Sequence, residues 1–346
     1  MDLVANFQRQ IEQFEELGSP MYADLLRRVV DDYELGGVSS RILAGCEDLP
    51  QDYVVALPLL GAVHRMVLAG EAPELAVFYP SVGGEWDPVL GWEAFEQLLS
   101  ARVPELRSLL SQVPQTNEVG RSIALYGGLL RLLEDVPLPV RLLEIGSSAG
   151  LNLRADQYRY LADGASFGRA DSPVVFEDAW SGRPVVAAPG LRIAERVGSD
   201  VAPVDALSEG GALTLTSYVW PDQLGRLERL RGALAIARSV PADVRREDAV
   251  SFLRNVELSE GHVTVIWHSV MWFYLKPDEQ AEATALIAAL GERTTESAPL
   301  AHLRLEPDRR TPDSELEFLV VLETWPGGSR QILGSSGAHG LPVRWE

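Results

Sequence analysis

The run Glu144-Ile145-Gly146-Ser147-Ser148-Ala149-Gly150 is where the types and spacing of residues most plainly permit chemistry. An apolar, strand-like stretch precedes it and a helix-like stretch follows. Three readings of the turn are open. As a ligand cradle, Gly146 and Gly150 let the backbone approach a bound group closely, and a helix N-terminus offers free N–H groups. Glu144 then stands at the strand end and Ser148 in the middle of the turn. As a catalytic turn, Gly146-x-Ser148-x-Gly150 fits the Gly-x-Ser-x-Gly pattern of a nucleophilic serine, with His268 or His339 as its base. Against this, no His-Gly-Gly-Gly segment for an oxyanion hole precedes it. As plain structure, the run is a tight turn between a strand and a helix.

Acids at later strand ends extend the first reading. Asp222 follows a Leu/Thr-rich run, 213–219, that reads as a strand, and an acid so placed can accept both ribose hydroxyls. Asp248-Ala249 follows a weaker strand, 243–246, at the next strand end. Asp200 is the competing ribose acid. Asp222 is preferred because a full helix, 223–238, and then the strand bearing Asp248 come after it in order. Each acid alone could equally be a solvated helix cap.

Further along, His268 ends the apolar strand 263–267, where an imidazole could take a proton from a substrate hydroxyl or amine. The alternative is a buried, hydrogen-bonded histidine. Trp272 sits with Trp267, Phe273 and Tyr274 in one aromatic segment that lines a pocket or fills core. Asn117 and Arg121 lie in the polar stretch 115–121, ahead of an apolar helix; they contact substrate or cap that helix. The five histidines show no metal-ligand spacing, His-Glu-x-x-His is absent, and Cys46 is the only cysteine, so no metal site is expected.

These residues need elements to hold them. Up to residue 135 the pattern is helical: Phe7, Ile11, Phe14 and Leu17 recur at helical spacing, as do Tyr22, Leu25, Leu26 and Val29. Further helices are expected over 52–67, 92–110 (broken at Pro104) and 119–133. From residue 136 strands and helices alternate, with strands at 140–145, 213–219, 243–246 and 263–267 and helices at 149–161, 223–238, 250–256 and 277–290. Such alternation with apolar strands implies a parallel sheet covered on both faces. A Gly/Pro/Asp-rich insertion fills 163–211, and Pro326-Gly327-Gly328 marks a C-terminal antiparallel hairpin. The expected organisation is a helical domain, 1–135, and an α/β domain, 136–346.

Composition narrows the partners. The 346 residues carry a formal net charge of −20, and Lys276 is the sole lysine. Bulk charge therefore argues against nucleic acid, and no Gly-Lys-Ser/Thr phosphate loop exists. The N-terminus lacks the charged-then-apolar pattern of a signal peptide, and no apolar run approaches ~20 residues. A cytoplasmic protein acting on a small molecule, off the membrane, is the expectation; its oligomeric state is open.

Glu144-x-Gly146-x-Ser148-x-Gly150 resembles the first motif of class I S-adenosylmethionine-dependent methyltransferases, with a serine where the middle glycine is usual. That resemblance implies a doubly wound, mostly parallel, Rossmann-like sheet. It also implies S-adenosylmethionine as cofactor, held by Glu144, Gly146, Ser148, Gly150, Asp222, Asp248 and Ala249. His268 would then be catalytic, and Asn117, Arg121 and Trp272 would contact substrate. The competing functions are a serine hydrolase using Ser148 and a non-catalytic cofactor-binding module. Gln115–Arg121 and Leu143–Leu153, with Tyr218–Gln223, His268-Ser269-Val270 and Gly340–Trp345, are together similar to a bacterial family, domain-of-unknown-function family 2332. That likeness covers nearly the whole chain and implies no particular substrate.

Overall fold

The computed structural model describes residues 2–49, 54–110, 114–183 and 190–346. The chain forms two compact units, one of residues 1–116 with 208–228, the other of residues 117–207 with 229–346.

The first unit is helical. Helix Leu3–Glu16 buries Phe7, Ile11 and Phe14, and helix Pro20–Glu34 buries Tyr22, Leu25, Leu26 and Val29, the stripes their periodicity predicts. The next helix is Ala56–Leu68; Asp52, where the sequence places its start, lies outside the described residues. The long pattern near Pro104 divides into Leu90–Ala101 and Val103–Leu109, because proline suits the first turn of a new helix.

A correction falls on 213–219. This segment is not a strand but the end of helix Glu209–Ser217, with the Ser208 hydroxyl accepting the Gly211 N–H as its cap. The alternation Leu213-Thr214-Leu215-Thr216 imitates the two-residue period of a strand, while Ser208-Glu209 supplies a helix start. Asp222 accordingly ends no strand. Its carboxylate accepts the Ser19 hydroxyl at 2.6 Å and the Met21 N–H at 3.0 Å, so it closes the N-terminus of helix Pro20–Glu34. Trp220 packs edge-on to Phe14, centroids 4.8 Å apart, within the same core.

Among its described residues the second unit holds twelve strands: β1 (Val140–Ile145), β2 (Arg159–Ala162), β3 (Ala165–Gly168), β4 (Val175–Phe176), β5 (Trp180–Gly182), β6 (Ile193–Asp200), β7 (Asp243–Arg246), β8 (Val263–Ser269), β9 (Leu300–Arg309), β10 (Leu316–Trp325), β11 (Ser329–Ser336) and β12 (Val343–Trp345). Nine make a sheet of order β5-β12-β11-β10-β9-β8-β1-β6-β7. The pairings from β7 through β9 are parallel, those from β9 to β12 antiparallel, and β5 joins the edge in parallel. The hairpin turned by Pro326-Gly327-Gly328 is thus part of a larger antiparallel half. From β1 the strand order runs outward through β6 to β7, then resumes on the other side of β1 with β8 and β9.

The helix expected over 149–161 is replaced by a short 3₁₀ segment, Asn152–Gln157, and then β2. Arg154 leaves helical geometry at φ −108°. The Tyr158 and Tyr160 hydroxyls, donating to the Leu151 and Ala155 carbonyls, hold the chain in this tighter path. β2 pairs with β3 and β4, which lie in the insertion, in a small sheet. There Tyr160 stacks on Tyr126 of helix Ser122–Asp135, centroids 4.4 Å apart.

Gly127 of that helix faces the Trp345 ring, and a Cβ there would lie 2.2 Å from the indole. Alanine normally gains about 1 kcal/mol over glycine in a helix, but overpacking a rigid ring costs about 1–3 kcal/mol. Gly127→Ala should therefore lower the urea midpoint; a raised midpoint would show that the ring relaxes freely.

Candidate functional site

The glycine turn lies at the C-terminal end of β1, where the strand order reverses. In open sheets of this kind ligands bind outside the carboxyl ends of the strands at that point. Gly146, Ser148 and Gly150 all have positive φ, at 67°, 51° and 66°. For the two glycines this is unstrained, whereas for serine it is an uncommon conformation. It persists because the turn is tied down on several sides. The Ser147 N–H reaches the Ser199 carbonyl of β6, and the Ser148 N–H reaches Asp200 Oδ2 at 2.9 Å. Asp200 Oδ1 accepts the Ala202 N–H at 2.8 Å, and its carbonyl takes the Glu247 N–H, which links β6 to the segment after β7.

Four of the motifs converge here. Asn117 Oδ1 accepts the Leu151 N–H at 2.8 Å, and Asn152 Nδ2 donates to the Glu118 carbonyl at 3.2 Å. Arg121 donates to the Ala338 carbonyl at 3.0 Å and to the Ser269 carbonyl at 3.5 Å. A Cβ at Gly340 would strike the Arg121 backbone, so the glycine of the C-terminal motif permits that close approach. Residues 117–121, 146–152, 268–270 and 338–340 are thus linked into one largely buried cluster of the second unit.

Glu144 is nearly fully buried, with Oε2 lacking a hydrogen-bond partner among the described residues. Burial pushes its pKa up to about 8; the Trp267 indole, outside hydrogen-bond geometry, and the Arg154 guanidinium offset only part of this. Trp267 Nε1 and Ser199 Oγ, on the strands flanking β1, are likewise buried without partners among the described residues. Such atoms cost free energy unless something meets them. A cavity of about 520 Å³ opens beside Ala149, walled by Val204, Leu207, Pro241 and Val244, with Arg154 and Asp205 as polar groups. A smaller one, about 380 Å³, lies in the first unit between the helices bearing Gly61 and Thr214 and includes Tyr218.

The other anticipated residues are placed as follows. Asp248 caps helix Ala249–Arg254, both its oxygens accepting from Ser251, and those bonds hold its carboxyl below the usual range. Asp222 lies in the first unit. His268 is fully buried, and register puts its side chain on the opposite sheet face from Glu144, whose partner is Trp267. Both His268 nitrogens are engaged, Nδ1 with Glu306 at 2.8 Å and Nε2 with His302 at 2.9 Å. Trp272 stacks on its ring, centroids 4.7 Å apart. Glu306 and Glu323 were not anticipated, and His302 was given no role. Period-two spacing could have flagged His302 and Glu306 as sharing one face of β9. Among the described residues no group of three or more His, Cys, Asp or Glu is arranged to hold a metal, and no helix is long and apolar enough to cross a membrane.

A search of curated proteins finds no match to the chain. A family model does match, over residues 4–345, and spans every motif gathered at the glycine turn. The chain belongs to that bacterial family, described as "Uncharacterized protein conserved in bacteria (DUF2332)".

Proposed function

We propose that the protein is an S-adenosylmethionine-dependent methyltransferase acting on a small or medium-sized acceptor. The observation that carries this reading is the place of the turn Glu144-x-Gly146-x-Ser148-x-Gly150: the end of β1, at the reversal of strand order, with Asp200 ending the adjacent strand. The motif resemblance and the strand order are independent of each other and favour the same cofactor. The residues suit it. Glycines at positive φ leave backbone open to close approach, and the buried, unpartnered Glu144 oxygen matches a cationic group.

In this reading Asp200 replaces Asp222 as the ribose acid. A carboxylate has about four lone-pair sites, and the two backbone bonds to Asp200 leave room for hydroxyl donors. Glu144 faces the charged end of the cofactor, the 146–150 backbone follows its length, and Asp248-Ala249 borders the base. When bound, the cofactor supplies a methyl group on a sulfonium. The protein's part is to align acceptor and donor and to exclude water. Asn117, Arg121 and Trp272 serve by fixing the walls of the crevice. His268, enclosed on both nitrogens, acts through its neighbours.

Calorimetric titration with S-adenosylmethionine and S-adenosylhomocysteine tests the proposal. Saturable binding of both is expected. No binding by folded protein would overturn it, and fluorophosphonate labelling that vanishes in Ser148→Ala would point to the serine hydrolase instead. A second expectation follows from Glu144. A cation beside it lowers its pKa, so binding at pH 7 should release protons, seen as a heat that varies with the buffer's ionisation enthalpy.

A further inference from the structure

Across strands β8 to β10 runs a row of four titratable side chains, His268, His302 and Glu306 buried and Glu323 partly exposed, that methyl transfer does not use. Glu306 Oε1 meets His268 Nδ1 at 2.8 Å, His268 Nε2 meets His302 Nε2 at 2.9 Å, and His302 Nδ1 meets Glu323 Oε2 at 2.9 Å. The row crosses from β8 through β9 to β10.

Its protons can be counted. Glu306 Oε1 also accepts the Met271 and Trp272 N–H groups, at 3.1 and 3.3 Å, which leaves no room for a proton on that oxygen, while Oε2 is buried without a partner among the described residues. His268 Nδ1 must therefore carry hydrogen. Glu323 faces Arg330 as well as His302, and its bond to His302 holds its carboxyl below the usual range, so His302 Nδ1 also carries hydrogen. Two nitrogens at 2.9 Å need one further hydrogen between them. Three contacts thus take three protons, and two neutral imidazoles bring only two.

We propose that His268 and His302 share a third proton, forming a buried cation between two carboxylates, and that this cation fixes the Val270–Trp272 turn against the glycine turn of β1. Val270 is β-branched with φ at +51°, a conformation that persists only where surroundings impose it. The surroundings that impose it are the Leu305 carbonyl, which accepts the Val270 N–H, and Glu306, which holds the next two N–H groups. Trp272 lies flat on His268, where an imidazolium gains from the ring's π face. Met271 packs where a Cβ on Gly146 would fall, so the turn borders the cradle itself. Glu306, His302, Glu323 and His268 are thus positioning residues.

Other charges bear on the pair. Arg304 on β9 opposes protonation but is drawn off by Asp308; Arg330 on β11 faces Glu323 and Asp308; Arg121 approaches the Ser269 carbonyl, and Tyr274 lies beyond it. Burial, opposed in part by the bond to Glu323, pushes His302 down to about 4. The sign follows from linkage. A proton held more tightly in the folded state adds stability that is complete below the ordinary histidine range and is lost as pH rises past the folded value.

The test needs neither cofactor nor substrate. In protein labelled with ¹⁵N-histidine, with His302→Gln used for assignment, three ring protons are expected on this pair at pH 6–7. The Trp272 indole N–H resonance should shift with the same midpoint as the third proton is lost. Glu306→Gln keeps the acceptor oxygen but removes the charge, and should move that midpoint down by about one pH unit, a tenfold loss of proton affinity. Two ring protons on the wild-type pair at pH 6 would overturn the proposal, as would a Trp272 resonance indifferent to the titration or an unmoved midpoint in a folded Glu306→Gln protein. Should Glu306→Gln fail to fold, the wild-type proton count decides alone. Three protons without cofactor binding would leave this inference standing and remove only the methyltransferase reading.

Discussion

Replacing Glu144 with glutamine should remove about 3 kcal/mol of pH dependence between pH 4.5 and 7. The carboxyl group has an ordinary pKa of 4.5 and one of about 8 when folded, because burial penalises its charge. Across that window the native state binds the proton and the unfolded state does not, so wild-type stability falls as pH rises. Each unit corresponds to 1.36 kcal/mol, and the window to pH 7 spans about 2.5 units. Glutamine has nothing to titrate. Its amide imposes a constant offset, so the measured quantity is the difference in slope between the two urea-unfolding series. Parallel series would mean that Glu144 is ionised in the folded protein.

Asp200 and Asp222 should separate function from stability. Asp200→Ala removes a charged acceptor from the strand end beside the glycine turn. Hydrogen bonds to a charged group are worth ~1.5–3 kcal/mol, so under the proposed methyltransferase reading S-adenosylhomocysteine affinity should drop about ten- to a hundredfold. Asp222→Ala leaves the buried Ser19 hydroxyl and the Met21 N–H without their acceptor. It should destabilise the protein by about 2–3 kcal/mol while cofactor affinity at low temperature stays within about twofold. The opposite pattern, with binding lost in Asp222→Ala and retained in Asp200→Ala, would refute the assignment of the ribose acid.

The segment before Asp222 shows what the sequence expressed and what it did not. Helix stripes such as Phe7-Ile11-Phe14 and apolar strands such as 263–267 read correctly because burial imposes a period on residue choice. The glycine turn was legible because positive φ restricts the residue type. Segment 209–217 was not, since only two of its residues are fully buried and Leu/Thr alternation mimics a strand. Asp222 reads as a strand-end acid only if that segment is a strand. The Glu306–His268–His302–Glu323 row was hidden for another reason. Its members lie on three strands, and only the β8–β9–β10 register brings them together.

The first unit borrows residues 208–228 from far along the chain, and this sets a timetable for its synthesis. When residue 116 leaves the ribosome, the core lacks Trp220, which packs against Phe14, and helix Pro20–Glu34 lacks Asp222 at its start. Roughly a hundred further residues must be made before both arrive. At about 5–20 residues per second, that wait lasts on the order of 5–20 s. Throughout it, the apolar stripes of the N-terminal helices remain open to chaperones and to other nascent chains. Fragments ending near residue 116 carry the same defect permanently, so expressing the helical unit by simple truncation should yield aggregate, whereas a fusion that appends 208–228 should not.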